Sequence, residues 1–253
     1  MRPSRRFFCP HYSEFHYIYP MTLKNFVDSL LFLCVISMTA QDSIPAADLD
    51  HRYREDQFYA GVTYNLLASV PSNVKLNGVS GGVHFGFLRD MPINEKRDFA
   101  IAIGAGLSFD QYGYNLFIGE DANENTIFRV LNSETQFDRS RFSTATVEVP
   151  LEIRWRTSTP QSYKFWRIYG GVRVGYTYWY RSFFSQSDNQ VSQTKIPEFD
   201  RLRLGATLNF GYSTFNFYAY YSINSFFKDA VIEDTNEPLD FRTLKLGVIF
   251  YIL

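Results

Sequence analysis

The sequence has 253 residues, 18% of them aromatic, and a formal net charge of −1. This length allows one large domain or two small ones, and the balanced charge gives no support to nucleic-acid binding through a basic surface. The two cysteines, Cys9 and Cys34, both precede residue 41, so a chain processed there would hold no disulfide and no Cys-ligated metal.

Residues 1–40 are predicted to be a signal peptide with an N-terminal extension, removed during export. Lys24 provides a short positive region, and an apolar run at 30–38 is followed by small residues, which is the pattern of a secretory leader. The run is too short to cross a membrane as a helix. Met21 is a candidate for the true start. A buried N-terminal helix is the alternative, and the bulky residue before Cys34 argues against lipidation.

Beyond residue 56, segment after segment alternates between apolar and polar residues, a period of two that is typical of β-strands. Residues 41–56 are predicted to be a periplasmic N-terminal segment, and residues 57–253 a single barrel domain. Eight strands are predicted in that domain, at residues 57–67, 79–89, 98–110, 141–156, 163–180, 200–211, 214–226 and 241–253.

The segment VEVPLEIRWR at 147–156 shows the alternation most clearly. Its odd-numbered positions are all apolar, whereas its even-numbered positions are charged except for Pro150. Because proline cannot donate to a β-ladder, we expect a bulge or a strained register at Pro150. In the other predicted strands the polar face combines arginine with most of the glycines.

Two all-β architectures produce such strands. A soluble sandwich or lipocalin-like barrel turns the apolar face inward, whereas a transmembrane barrel turns it outward to lipid. Glycine and arginine together on the polar face suit a crowded, hydrated lumen, and the aromatic residues near strand ends suit interfacial girdles. The predicted strands are also long enough for a tilted membrane span of about 9–11 residues. These features favour a transmembrane barrel over a soluble one.

Long and short connections alternate between the predicted strands, and the longest are centred on 111–140 and 181–199. A barrel with its N-terminus in the periplasm has short periplasmic turns and long outer loops in this order. The predicted fold is therefore an all-β, eight-stranded antiparallel up-and-down transmembrane β-barrel, monomeric, in the outer membrane of a Gram-negative (diderm) bacterium. Side chains can fill an interior of this width, which disfavours a solute channel.

Charged residues at inward-facing positions are the candidate functional residues. Isolated charges in a narrow lumen would be costly, whereas paired charges are tolerated. Glu148 and Glu152 are expected to meet Arg173 or Arg167. The main interpretation is a structural network that packs the lumen, and the alternative is a gated polar path or a partner-binding site. The predicted network comprises Glu148, Glu152, Arg154, Arg167, Arg173, Arg203 and Lys245, with Arg201 as a further inward candidate.

No catalytic, metal-binding or cofactor-binding residues are predicted. After residue 40 the histidines are His51, which precedes the first strand, and His84, on the lumen side of the second. An outer-rim hydrolase would need a histidine in an outer loop. Acidic clusters at 120–124 and 229–234 lack the ordered spacing of a calcium loop. We therefore expect a protein that is not an enzyme and holds no cofactor.

Three stretches resemble the PorT-like outer-membrane barrels of Bacteroidota. They are DQFYAGVTYNLL (56–67), SGGVHFGFLRDMPINEKRDFAIAIGAGLSFD (80–110) and VEVPLEIRWR. Val-Pro-Leu after a long loop is typical of the broad porin-like barrel family, and the RDMPIN turn is more specific to the PorT-like branch. The resemblance covers about residues 52–253.

The resemblance implies an outer-membrane protein that supports type IX secretion, either in the export of cargo proteins or in assembly of the translocon. The implied partners are outer-membrane lipid and other secretion-system proteins, with no nucleic acid. A structural or adhesive barrel that acts through long extracellular loops is the alternative. The resemblance carries over no functional residues.

Overall fold

The computed structural model describes residues 56–71, 73–132, 135–157, 165–187, 189–213 and 215–252. The predicted signal peptide at 1–40, the candidate start at Met21 and the predicted periplasmic segment up to residue 55 lie outside these ranges. None of the described residues forms a helix long and apolar enough to cross a membrane.

The described residues form eleven strands in chain order. The strands are β1 Gln57–Ser69, β2 Gly81–Pro92, β3 Phe99–Gly113, β4 Leu116–Glu120, β5 Thr126–Val130, β6 Arg139–Arg156, β7 Trp166–Gln186, β8 Asn189–Gln193, β9 Leu202–Tyr212, β10 Phe215–Ser222 and β11 Arg242–Ile252.

Eight of these strands close into one antiparallel ring. The order around the ring is β1, β2, β3, β6, β7, β9, β10 and β11, and β11 pairs again with β1. Barrel strands that follow one another in sequence are therefore neighbours in space, and the predicted eight-stranded up-and-down barrel is confirmed. Closure pairs both edges of every barrel strand, which is the condition for placing a sheet in hydrocarbon.

The two faces of each barrel strand differ in polarity, as β6 shows. Leu151 and Ile153 on its outward face are 45% and 64% exposed, whereas Glu152 and Arg154, which alternate with them, are fully buried. Side chains of opposite character alternate because successive residues of a strand point to opposite faces. An apolar outside and a polar inside are what contact with lipid requires.

The connections are short at one end of the barrel and long at the other, which confirms the predicted alternation. The described residues of the short turns lie within 93–98, 157–165 and 213–214, and those of the long loops within 70–80, 114–138, 187–201 and 223–241. In bacterial outer-membrane barrels the short turns are periplasmic and the long loops extracellular. Aromatic residues mark both ends of the apolar band, including Trp166 beside Phe210 near the turns and Trp179 near the loops.

Two long loops contain strands where the sequence pattern predicts only loops. β4 and β5 form a hairpin within 114–138, and β8 pairs with the end of β7. Asp121 closes the hairpin, because its carboxylate accepts hydrogen bonds from the amides of Asn123 and Asn125. Strands of five residues contain too few alternations to be recognised from periodicity.

No bulge lies at Pro150, so that prediction is wrong. β6 and β7 stay in register through Pro150, which lies opposite Arg173. On the other side, the ladder between β6 and β3 omits positions 149–150 without a change of register, which accommodates the missing amide hydrogen. The bulge lies nearer the long loops, where Tyr178 is the extra residue of β7.

Replacing a lipid-facing leucine tests the assigned orientation of β6. Leu151→Arg is expected to destabilise the barrel by about 2–4 kcal/mol, since the arginine would face hydrocarbon near the middle of the apolar band. Gln111→Arg, at the outer end of β3, is the control and should cost about 0–1 kcal/mol. Urea titration of the protein folded in neutral vesicles measures both changes. Equal losses would contradict the assigned orientation.

Candidate functional site

The structure places the seven charged residues of the predicted network inside the barrel. Their exposed fraction is 8% or less in every case, for Glu148, Glu152, Arg154, Arg167, Arg173, Arg203 and Lys245. Alternation along each strand sets this placement. Arg201 is exposed and precedes β9, so its assignment to the lumen is wrong.

The layer nearest the short turns contains two arginines and two carboxylates, all fully buried. Arg154 contacts Glu152 at 3.1 Å and Asp90 at 3.3 Å, and Arg156 contacts Asp90 at 2.9 Å. The Arg154 guanidinium also lies 4.7 Å from the ring centroid of Tyr169. Opposite charges and an aromatic face together offset part of the cost of taking these ions out of water.

Arg173 of β7 occupies the centre of the lumen. Its guanidinium contacts Glu148 of β6 at 2.9 Å and lies 5.1 Å from the ring centroids of Tyr59 and Tyr218. The ring of His84 lies 4.6 Å from that of Tyr218. Because these residues come from β1, β2, β6, β7 and β10, their contacts join opposite walls of the barrel.

Lys245 of β11 forms the layer nearest the long loops. Its ammonium lies 2.5 Å from the carboxylate of Asp110 on β3. Asn65 and Ser108 donate hydrogen bonds to the same carboxylate at 3.0 and 2.7 Å. The ring centroid of Tyr220 lies 4.9 Å from the Lys245 ammonium. This layer crosses the lumen and links β3 to β11, which are not adjacent in the ring.

Arg167 and Arg203 lie at opposite ends of the lumen and donate to backbone carbonyls. Arg167 donates to Ser213 at the short-turn end. Arg203 donates to Asp200 and Ser225 at 2.7 and 2.8 Å beneath the long loops. The two arginines therefore fasten connections to the barrel wall.

Of the expected pairings, the structure forms the one between Glu148 and Arg173. Glu152 pairs instead with Arg154, two residues along the same face of β6. Residues two apart on one face are separated by about 7 Å along a strand, and the long arginine side chain can fold back over that distance.

Asp90, Asp110 and Arg156 complete these clusters and are absent from the predicted set. The sequence pattern places Asp90 in a turn, but β2 continues to Pro92 and keeps Asp90 on its inward face with His84. The predicted set holds two carboxylates against five cations, an imbalance that a narrow lumen disfavours. That imbalance was the available signal that further inward carboxylates were needed.

The long loops fold together above the lumen into a unit that we call the loop head. It comprises the described residues of 70–80, 114–138, 187–201 and 223–241, together with the strand ends beneath them. All four loops contribute to one buried hydrophobic cluster. Its members are Val74, Tyr112, Tyr114, Leu116, Ile118, Phe128, Phe142, Tyr180, Ile196, Phe199, Phe226, Phe227, Ala230, Ile232, Leu239 and Phe241.

Ring contacts join the loop head to the barrel wall. The ring centroid of Phe199 lies 4.3 Å from that of Tyr180 and 5.3 Å from that of Phe142. Phe226 and Phe241 are 5.4 Å apart. Each aromatic pair contributes about 0.5–1.5 kcal/mol beyond its buried area. The loop head therefore has a packed core of its own over the outer end of the lumen.

Asp200 fastens two loops of the head where loop 187–201 meets β9. Its carboxylate contacts Lys228 at 2.9 Å and accepts hydrogen bonds from the Leu202 amide at 3.0 Å and the Asn224 side chain at 3.2 Å. Burial opposes ionisation, but these contacts outweigh it and hold the pKa of Asp200 below its ordinary value. The ionised carboxylate therefore ties loop 187–201 to loop 223–241.

One carboxylate in each acidic cluster of the loops has a protein partner. Asp121 closes the hairpin, and hydrogen bonds from Asn125 and Asn123 lower its pKa. Glu233 pairs with Arg129 at 2.7 Å. Among the residues that the structure describes, no three His, Cys, Asp or Glu side chains are grouped so that they could hold a metal ion.

Removing Glu148 tests the central ion pair. Glu148→Gln is expected to destabilise the barrel by about 3–5 kcal/mol, because Arg173 is left buried without its carboxylate. Arg173→Met should have a similar effect, and the double variant should lose much less than the sum. Urea titrations in vesicles measure this coupling. Glu120→Gln, at an exposed position, is the control, with a change below about 0.5 kcal/mol. Additive losses would disprove the pairing.

Asp200 makes the stability of the loop head depend on pH. Because its folded-state pKa is lowered, its contribution is present above the ordinary carboxyl value of about 3.9 and is lost as the pH falls through the folded value. Asp200→Asn should therefore speed hydrogen exchange in loops 187–201 and 223–241 at pH 7. The difference from the parent should shrink below about pH 4.

The matched control for this exchange measurement is Asp234→Asn, at an exposed position in the same loop head. It should leave the exchange rates unchanged at both pH values. Equal effects of the two substitutions would show that Asp200 is no anchor.

The comparisons with known proteins place the chain in a family. No curated protein matches the sequence. Among solved structures, the chain is similar to Ail, the attachment invasion locus protein of Yersinia pestis, crystallised with the heparin analogue sucrose octasulfate. The identity is 16%, the match covers 79% of this chain and 99% of that chain, and the TM-score is 0.32. A likeness this distant carries no argument about function.

The family model for the outer membrane protein beta-barrel domain matches residues 39–228. The match spans more than half of the sequence and agrees with the closed barrel, its apolar outer face and its long loops at one end. The chain therefore belongs to the family of outer-membrane proteins with this β-barrel domain.

Proposed function

We propose that this protein is a non-enzymatic, monomeric outer-membrane component that binds a partner through its loop head. The observation that carries the proposal is the hydrophobic core shared by the four long loops. Loops fixed on a rigid scaffold are the usual site of recognition in proteins. A core that packs Phe199 and Phe227 against the strand ends gives this surface a fixed shape.

The filled lumen argues against a channel. Arg154, Arg156, Arg173, Tyr59 and Tyr169 are among the largest fully buried side chains of the described residues. They occupy successive layers of the interior, and the loop head lies above them. An eight-stranded barrel has room for little besides its own side chains.

The placement of titratable groups argues against an enzyme. The sequence of the four long loops contains no histidine, and His84 is buried in the lumen beside Tyr59 and Tyr218. A general base must reach the proton that it abstracts, and His84 has no access to the surface of the loop head.

For the partner, we propose the machinery of type IX secretion. The resemblance of residues 56–67 and 80–110 to PorT-like barrels supports this role. Part of the RDMPIN motif also serves the barrel itself, since Asp90 lies in the lumen and pairs with Arg154 and Arg156. The second candidate is a surface-binding or adhesive role, which the loop head favours because it lies at the extracellular end.

A deletion strain complemented with variants tests these proposals. The readout is secretion of cargo that carries the C-terminal sorting tag. Phe199→Ser/Phe227→Ser should fail to restore secretion, since truncating a buried phenylalanine typically costs about 3–5 kcal/mol per site. The control is Ile93→Ser, at a position 61% exposed in a short turn outside the loop head. It should restore secretion to the parent level.

The outcomes test the secretion role and the action through the loop head separately. Unchanged secretion in the deletion strain would disprove the secretion role, and the same variants would then be compared for attachment of cells to surfaces. Full restoration by the variant with the disrupted head core would disprove action through the loop head. Conductance of the purified protein in a planar bilayer would contradict the filled lumen.

A further inference from the structure

A group of basic side chains lies on the outer wall of the barrel, beyond the apolar band. There β6 and β7 continue towards the long loops, and β8 joins β7 as a third strand. The outward face of this extension carries Arg139, Arg141, Arg181 and Phe183, whereas the alternate residues of β6 and β7 are buried. We call these four residues the arginine patch.

Phe183 lies at the centre of the arginine patch. The guanidinium carbons of Arg141 and Arg181 lie 5.1 and 5.5 Å from its ring centroid. The Nε of Arg181 also donates a hydrogen bond to Ser192 of β8 at 2.8 Å, and Arg139 lies one step further along the same face of β6. The ring and the β8 contact hold the guanidinium groups in place, which lowers the entropy lost on binding a ligand.

The three arginines lack an acidic partner among the described residues. Three other cations of the loop head differ in this respect, because Arg129, Lys228 and Arg242 each contact a carboxylate within 3.0 Å. Neighbouring positive charges repel one another, and an anion bound between them offsets that repulsion. The surplus charge of the arginine patch is therefore available to an anion from outside the chain.

The arginine patch begins at the depth of lipid headgroups with Arg181, and Arg141 and Arg139 lie one and two same-face positions further out. In the ladder, Phe109, Ala145 and Trp179 are neighbours on adjacent strands, and the two rings end the apolar band. Arg181 follows Trp179 by two residues, which is about 7 Å along a strand and less along the membrane normal because barrel strands tilt by about 35–45°. The headgroup region is roughly 5–8 Å thick on each side of the hydrocarbon.

We propose that the arginine patch binds the phosphate group of an anionic lipid in the surrounding leaflet. Guanidinium groups match phosphate oxygens through paired hydrogen bonds. The lipid-facing side chains directly below, including Trp179, would contact the acyl chains of the same molecule. The position of Arg181 on the barrel wall favours a lipid over an acidic protein, which would have to displace headgroups to reach this arginine.

Quenching of Trp179 fluorescence by brominated lipids tests this site. Trp155→Phe/Trp166→Phe leaves Trp179 as the single tryptophan, since the sequence contains three. The purified protein is folded in mixed vesicles of phosphatidylcholine and phosphatidic acid, with each lipid brominated in turn. We expect a relative binding constant of about tenfold or more in favour of phosphatidic acid, given roughly 1 kcal/mol per basic residue at an anionic surface.

Two sets of substitutions distinguish a site from general charge attraction. Arg139→Gln/Arg141→Gln/Arg181→Gln should reduce the preference to near one. Lys75→Gln/Lys96→Gln/Lys195→Gln removes the same charge from exposed positions outside the arginine patch and should keep the preference. Migration on gels before and after heating shows whether each variant is folded. If the triple variant does not fold, Arg181→Gln alone should lower the preference severalfold.

Three results would overturn the proposal. The first is a parent protein with no preference between the lipids, which would leave the arginine patch to an acidic protein partner. The second is an equal loss in the control variant, which would mean attraction by net charge. The third is loss of the preference in millimolar inorganic phosphate, which would show that the free ion occupies the site.

Discussion

Within hydrocarbon, a backbone amide or carbonyl can find a hydrogen-bond partner only in the protein itself. The ring of eight strands is a direct consequence, because β1 would expose an unpaired edge to lipid if β11 did not return to it. Closure at eight strands also fixes the width of the interior. The interior must then be filled by the side chains at the inward positions. The polarity of those side chains affects both the register of the strands and the contacts across the lumen.

Filling the lumen with ions rather than apolar groups has a structural benefit. If both faces of a strand were apolar, a slip of one residue would change little, whereas here it would expose charges such as Arg154 and Glu152 to lipid. The ion clusters therefore specify the register of the strands. Long side chains such as Arg173 also reach across the lumen to the opposite wall. These contacts stabilise the cross-section of the barrel.

Much of the barrel could be predicted from the sequence, because alternation reveals which face of a strand a residue occupies. It does not reveal which residues meet across the lumen. Lys245 and Asp110 are 135 positions apart and on strands that are not adjacent, so their contact depends on closure of the ring. Turn residues also misled the prediction at Asp90, since Asp and Pro are typical of turns but here continue β2.

The core of the loop head could not be predicted, for a different reason. Apart from Tyr112, Phe142 and Tyr180 on the barrel strands, its members lie in segments with short strands or no regular period. Nothing in the local pattern there separates the buried Phe226 and Phe227 from exposed loop residues. Their burial results from four loops meeting at one end of the barrel. Such an arrangement is fixed by tertiary packing, so it can be predicted only once the positions of the barrel strands are known.

The bulge at Tyr178 has a consequence for the whole of β7. Before it, odd-numbered residues such as Arg173 and Thr177 face the lumen; after it, even-numbered residues such as Tyr180 and Phe184 face inward. The part of β7 within the membrane and the part beside the loop head thus alternate in opposite phase, although they form one continuous strand. If β7 alternated without the bulge from Thr177 onward, Tyr180 would turn away from the head core and Arg181 into it. The bulge therefore allows one strand to turn its apolar side chains to lipid within the barrel and into the core of the loop head beyond it.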